Sequence, residues 1–353
     1  MVSRTGTFKL NEVYLKNKGL KARYAIARSI GIDCKVSTMI RLFERMVEPV
    51  LLYNCEVAQV CIPNTWNLDK FRDKMWDDRE TDKVVKGFLR QILGINKKST
   101  IRGIRAETGK FPLNLNIYVQ MVKYWTRLIT TESKLMQGAH MDNLKRFKEG
   151  KQCWIQPVVY LLKTCGINQI DVTEIISKGN SFTKHIKEKL TEQYKEKWKK
   201  EMEEKKEGKL KFYQELKKNF KCEEYLDTIS RADRKAITRL RLSCHTLPIE
   251  RMRYQTIDRQ ERKCPFCRRE IGDEWHYLTK CNNSDISNVR NEFVAKVKSI
   301  QPQLNNFSTT DLMTYCVSMQ DTLIQTETAH FVKELLTSYA DAVEEEEGKC
   351  NIM

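Results

Sequence analysis

Apolar residues recur along this chain at spacings of three and four, the period of an amphipathic helix. Leu20, Tyr24, Ala27 and Ile30 predict a first helix from Gly19 onward. Ile40, Phe43, Met46 and Val47 give the stripe of a second, with Ser37 as its N-cap. Pro49 lacks a backbone donor and clashes one turn back, so a kink or break is expected there. The run Val50 to Tyr53, leading towards Cys61-Ile62-Pro63, is too short for periodicity to separate helix from strand, and helix is the reading taken. Phe71, Met75, Val84, Val85, Phe88, Leu89 and Ile92 form the inner face of a helix over 68–94, open to interruption in the charged residues 75–81 and stopped by Gly94. Ser99-Thr100 opens a short helix through Thr108, and Gly109 to Leu113 turns into a long apolar helix. Tyr124 and Trp125 on that helix could stack on bases; at this spacing they read as core.

Residues 131–180 read as a connector of short helices, with Asp171 or Thr173 capping the last. Residues 181–221 are highly charged, with fourteen Lys and eight Glu, yet Ile186, Leu190, Tyr194 and Trp198 lie four apart on one face. Ser181 or Thr183 can cap this helix, and Gly208 marks a bend. Because acids are interleaved, a solvent-exposed helix joining two modules is preferred to one lying along a nucleic-acid backbone. After residue 281, three helices are expected around Val289–Val297, Asp311–Cys316 and Leu323–Tyr339, then a short acidic tail, Glu344 to Glu347.

Composition narrows the partners. The 353 residues carry 63 Lys/Arg and a net charge of +17, which favours a polyanion, nucleic acid first. No run of apolar residues is long enough to span a membrane, and none follows the charges of residues 1–10 as in a secretory signal. Nine of the twelve cysteines lie apart from any ligand pattern, so an intracellular chain, nuclear or cytoplasmic, with reduced thiols is expected.

The remaining three, Cys264, Cys267 and Cys281, join His276 in the spacing C-x2-C-x8-H-x4-C. Four soft donors suit Zn²⁺ in a tetrahedron, and a complete set leaves no open position for a catalytic water. Pro265 stiffens the first turn, Gly272 can take a positive φ where the chain reverses, and His276 and Cys281 close the site from what reads as the start of a helix. Trp275 is expected to pack over the metal core, with Cys244 and His245 as structural residues outside the ligand set. Residues 231–270 hold twelve Lys/Arg against five acids. Arg239, Arg241, Arg251, Arg253, Arg259, Arg262, Lys263, Arg268 and Arg269, with Tyr254 interleaved, form the candidate nucleic-acid surface, since cations neutralise phosphates and rings stack on exposed bases.

In order, Lys21 to Ile30, Glu48-Pro49-Val50-Leu51-Leu52-Tyr53 with Glu56-Val57, Phe88 to Gly94, Gly109-Lys110-Phe111-Pro112-Leu113, Lys123 to Leu128, Arg239 to Ser243 and the Cys-His motif resemble the region after the catalytic core of LINE-type non-LTR retrotransposon reverse transcriptases. The resemblance covers most of residues 9–282. It departs at Asn54 and Ala58, where the family commonly has glycine and tryptophan, and no Ala-Asp-Asp turn for the polymerase metals occurs. Asp77-Asp78 sits in a charged helical context and reads as a solvated face. The resemblance therefore implies the thumb-like and zinc-finger parts of such a polymerase, with fingers and palm preceding residue 1 and no catalysis in this chain. A nuclease pattern after the finger is likewise not visible.

The expected architecture is mainly α: multi-helix modules joined by a long charged helix, plus a small CCHC zinc module. Its segments are a thumb-like domain over 1–130, a connector over 131–180, a charged linker helix over 181–230, a basic arm and finger over 231–285, and C-terminal helices with an acidic tail over 286–353. The expected function is non-catalytic binding of RNA or DNA, with the rest of a retroelement polymerase as a further partner. A helical scaffold with structural zinc, and a truncated retroelement product without selected activity, remain as alternatives.

Overall fold

The computed structural model describes residues 8–30, 34–60, 62, 65–169, 171–204 and 208–350, with side chains described at all of these except 30, 172, 174 and 345–350. Residues 1–7 of the basic N-terminal stretch, Cys61, Pro63 and the side chains of Ile30, Glu345 to Glu347 and Cys350 thus lie outside the described residues. The fold is mainly α, and no strand forms among the described residues. Two compact units form from interleaved segments: residues 1–31, 40–87 and 111–199 in the first, and 32–39, 88–110 and 200–353 in the second.

In the first unit, Lys9–Ile30 packs against the short helix Glu48–Leu51. The break expected near Pro49 is present: Val36–Met46 stops, and Pro49 sits in the first turn of the next helix, where its missing N–H costs nothing. The 68–94 stretch divides into Leu68–Lys74 and Asp82–Leu93. Between them the Met75 carbonyl accepts from Asn114 Nδ2 (2.6 Å) and Tyr118 Oη (2.9 Å), both on the helix Leu113–Thr130. Phe71 lies 5.9 Å from both Tyr118 and Tyr160, and Trp76 meets Tyr118 and Tyr194 edge-on, at 6.4 and 5.1 Å. Trp125 is buried in the core, and Tyr124, half-buried, packs edge-on against Trp154.

Tyr194 reaches that core from the charged helix Asn180–Glu204. Phe182, Ile186, Leu190, Tyr194 and Trp198 are all buried, while Lys184, Lys187, Lys195 and Lys199 are exposed. The helix is therefore a core element along one row and a solvated connector along the rest. It starts at Asn180, after Gly179, which corrects the caps expected at Ser181 and Thr183. Asp171 does cap Val172–Lys178, accepting from the Thr173 N–H. The bend at Gly208 separates this helix from Lys211–Leu216.

The second unit is built on Arg231–Arg241, whose N-cap is Ser230. It packs against the long helix Gln325–Cys350, as does Ser284–Ile300, where Phe293 stacks on Phe331 at 4.2 Å. With Thr309–Val317, these are the three helices expected after the finger. Val36–Met46 begins one residue before Ser37, and the Ser37 N–H is taken by Asp227 Oδ1 (2.9 Å), so a distant carboxylate supplies the cap expected of Ser37.

A polar cluster fills the centre of this unit. Glu107, on the helix Ile101–Thr108, accepts from Arg241 Nε (2.8 Å), Tyr225 Oη (2.6 Å) and Tyr213 Oη (2.7 Å). Arg241 also donates to the Val317 carbonyl (2.8 Å) and lies 3.6 Å from Glu223, which pairs with Lys217. Burial alone would raise the Glu107 carboxyl, but the Arg241 guanidinium and Lys217 ammonium outweigh it, and the group titrates below the ordinary carboxylate range. Gly109, at φ +64°, ends Ile101–Thr108 in the left-handed region; a Cβ there would fall 2.7 Å from the Cys222 nitrogen. That close approach lets Glu107 O accept from Glu223 N–H (3.0 Å) and ties 107–109 to 222–223.

Candidate metal centre and basic surface

Residues 262–272 form a small looped-back segment. Cys264 N–H donates to Glu270 O (2.9 Å), Gly272 N–H to Arg262 O (2.8 Å), and Lys263 faces Ile271 in an isolated antiparallel bridge. The turn through Cys264-Pro265-Phe266-Cys267 is closed by Arg268 N–H on Cys264 O (2.9 Å). Arg268, at φ +55°, is the left-handed residue of this reversal. Gly272, expected in that role, is needed for space instead: a Cβ there would lie 2.8 Å from Pro248 Cγ.

His276 to Lys280 make a single π turn, closed by Cys281 N–H on His276 O (2.8 Å). An α-helix rotates about 100° per residue, so a residue five positions on would face about 140° away. The wider π turn brings positions i and i+5 together. This corrects the expected ordinary helix start and explains how H-x4-C closes on one site.

Cys264, His276 and Cys281 are buried, and their donor atoms lie within 4.8 Å of one another, a group that could hold a metal ion. The two sulfurs are 3.9 Å apart. Cys267 Sγ, half-buried, is 3.7 Å from His276 Nε2. His276 Nδ1 faces Glu270 Oε2 at 3.3 Å, which leaves Nε2 for an ion. The hydrogen bond from Cys281 holds the Cys264 thiol well below the usual thiol range, and the Cys281 thiol is raised in turn. Burial would lower His276, but Cys264 and Glu270 raise it. One thiolate, at Cys264, is thus favoured in the cluster, with the Cys281 thiol and the His276 ring set against it. Around it, Tyr277 Oη donates to Cys264 Sγ (3.3 Å), Arg290 donates to the Cys281 carbonyl (2.7 Å), and the Tyr339 ring lies 5.0 Å from Tyr277 and 6.0 Å from Phe266. Trp275, expected over the Cys/His cluster, packs its ring on Phe212 at 4.9 Å instead, and its indole N–H donates to Glu215. His245 and Ser243 both bond Glu274, and Cys244 meets Ser99, so they stay outside the donor set.

The basic residues divide in two. Arg241, 1% exposed, is enclosed by Glu107 and the tyrosines, and Arg262 is buried, donating to the carbonyls of Ile249 and Ile257. Both correct the expectation of a nucleic-acid surface, because guanidiniums held this way cannot reach a phosphate. Arg253 pairs with Glu250 and Arg259 with Asp273, both half-buried. Arg239, Arg251, Tyr254, Lys263, Arg268 and Arg269 are exposed. Arg234, in the same basic run, is buried and donates to the carbonyls of Leu226 and Cys34. Glu270, Tyr277 and Tyr339, which complete the surroundings of the donors, escaped the sequence reading; only Glu270 and Tyr277, next to the ligands, were within reach of a local scan.

Comparison with protein-family models, with curated proteins and with solved structures finds no match to this chain. No helix among the described residues is long and apolar enough to cross a membrane.

Proposed function

We propose that this chain is a non-catalytic nucleic-acid-binding protein in which a structural Zn²⁺ is held by Cys264, Cys267, His276 and Cys281. Its resemblance to the C-terminal part of a LINE-type reverse transcriptase makes RNA or DNA the partner. The observation that carries the zinc assignment is metric. Cys264, His276 and Cys281 offer donor atoms within 4.8 Å of one another, near the edges of about 3.8 Å of a tetrahedron with zinc–sulfur bonds of about 2.3 Å, and Cys267 Sγ stands beside that group, 3.7 Å from His276 Nε2. Four protein donors close the ion's coordination, so its role is to fix the loop that carries Lys263, Arg268 and Arg269.

Full-length protein should bind a labelled RNA or single-stranded DNA with affinity that falls steeply with salt; for about six phosphate contacts the log–log slope is about −4. Absent or salt-insensitive binding at low ionic strength would reject this reading in favour of a helical scaffold. Cys267→Ser should release zinc, measured by metal analysis, and open residues 240–285 to protease while Leu113–Thr130 stays protected. Unchanged protease resistance in a metal-free protein would sink the zinc assignment.

A further inference from the structure

The turn after Asp82–Leu93 carries Lys97 and Lys98, both exposed, and meets Tyr254 through Lys98 and Arg239 through Gly94. Lys98 Nζ stands 3.7 Å over the Tyr254 ring. The Tyr254 hydroxyl accepts from Lys209 Nζ (3.2 Å), and Lys209 is itself anchored to the buried Glu250 (3.1 Å). At the turn's other end, the Gly94 carbonyl accepts from Arg239 Nε (3.2 Å), and the Lys235 methylenes pack 3.0 Å from the position of a Gly94 Cβ. The Ser99 hydroxyl holds the turn to Cys244 (2.9 Å). Gly94 and Lys98 are four residues apart, so their Cα atoms are at most about 14 Å apart. Four separate stretches, around 97, 209, 239 and 254, thereby meet at one cationic surface with an aromatic ring in it.

Tyr254 remains 50% exposed although its hydroxyl is tethered and a cation sits on its face. A large ring fixed in that way at the surface has no packing role that needs its open half. Lysines around a fixed ring match what an unpaired base and its flanking phosphates require, stacking beside charge neutralisation. We infer that Tyr254, with Lys97, Lys98 and Arg239, is a stacking platform for single-stranded nucleic acid. The inference rests on the proposed function and specifies it: unpaired bases, not only phosphates, are read here. A duplex keeps its bases stacked within the helix and offers the ring nothing comparable.

The test compares a fluorescein-labelled oligo-dT with a duplex of equal length, on the full chain, across a salt series. Tyr254→Ala should weaken oligo-dT binding about tenfold, the loss expected for one stacked base, with duplex binding within twofold of wild type. Tyr254→Phe keeps the ring and should stay near wild type on both. Lys98→Ala should weaken both and reduce the oligo-dT salt slope by about 0.7. Unchanged melting temperatures would establish that each variant is folded, as expected for exposed side chains. Wild-type oligo-dT affinity in Tyr254→Ala, or equal losses on oligo-dT and duplex, would overturn the platform while leaving a general polyanion surface intact. Failure of the wild type to bind either nucleic acid would overturn both.

Discussion

Glu107 receives two tyrosine hydroxyls and a guanidinium with no exposure of its own. Its truncation would leave Arg241 charged and enclosed, so Glu107→Ala should lower unfolding stability by about 3–5 kcal/mol in denaturant titrations. Because the folded-state pKa lies below the unfolded value of about 4.3, the stabilisation from its ionisation is complete above that value and is lost as pH falls below it. Denaturant midpoints measured from pH 7 to pH 3 should show this decline, and Glu107→Gln should flatten it; parallel curves would remove Glu107 as its source. The Cys/His cluster could be read from the chain because Cys264, His276 and Cys281 lie within one short stretch. The fate of the arginines could not. Arg239 and Arg241 look alike in a basic run, and what separates them is a carboxylate 134 positions from Arg241. For the same reason the sequence reading found Tyr254 but not its neighbour Lys98.

Among the elements, Asn180–Glu204 has the most divided character. The four-residue ladder Ile186, Leu190, Tyr194 and Trp198 marked one face, whereas the abundance of Lys and Glu suggested a bare connector. Burial of the whole ladder decides in favour of the face, since each such side chain contributes about 1.5–3 kcal/mol when removed from water. Tyr194→Ala, which removes the ring against Trp76 and Phe111, should therefore destabilise by about 3–5 kcal/mol, and Lys195→Ala by less than about 0.5 kcal/mol. Thermal unfolding of the two variants tests the assignment, and similar small shifts in both would return the helix to the role of a connector. Helices were legible wherever apolar spacing ran long. The π turn at His276 was not, because residue types alone do not separate an α turn from a π turn.

At the scale of the molecule, the second unit draws on residues 32–39 and 88–110 as well as 200–353. Its polar centre needs Glu107 from one segment and Arg241, Tyr213 and Tyr225 from another. A fragment of residues 200–353, supplied with zinc, should consequently give no cooperative melt, whereas the full chain should; a sharp transition in the fragment would show that the centre is dispensable. Periodicity establishes helices one at a time. It carries no record of which distant helix fills the other half of a core, and so the interleaving was not legible in the sequence.

The Tyr339 ring beside Phe266 and Tyr277 would give an ion held at the Cys/His cluster a dependence on time. The Cys and His side chains are all made by residue 281, but the ring that packs on Tyr277, itself bonded to Cys264, is not made until residue 339. An ion captured early would meet a site whose Tyr277 is not yet packed, and one captured later a site whose Tyr277 is held from behind. Loss of the chain from Tyr339 onward would remove that ring without touching a Cys or His of the cluster, so retention of a metal would act as a tally of how much chain follows the finger.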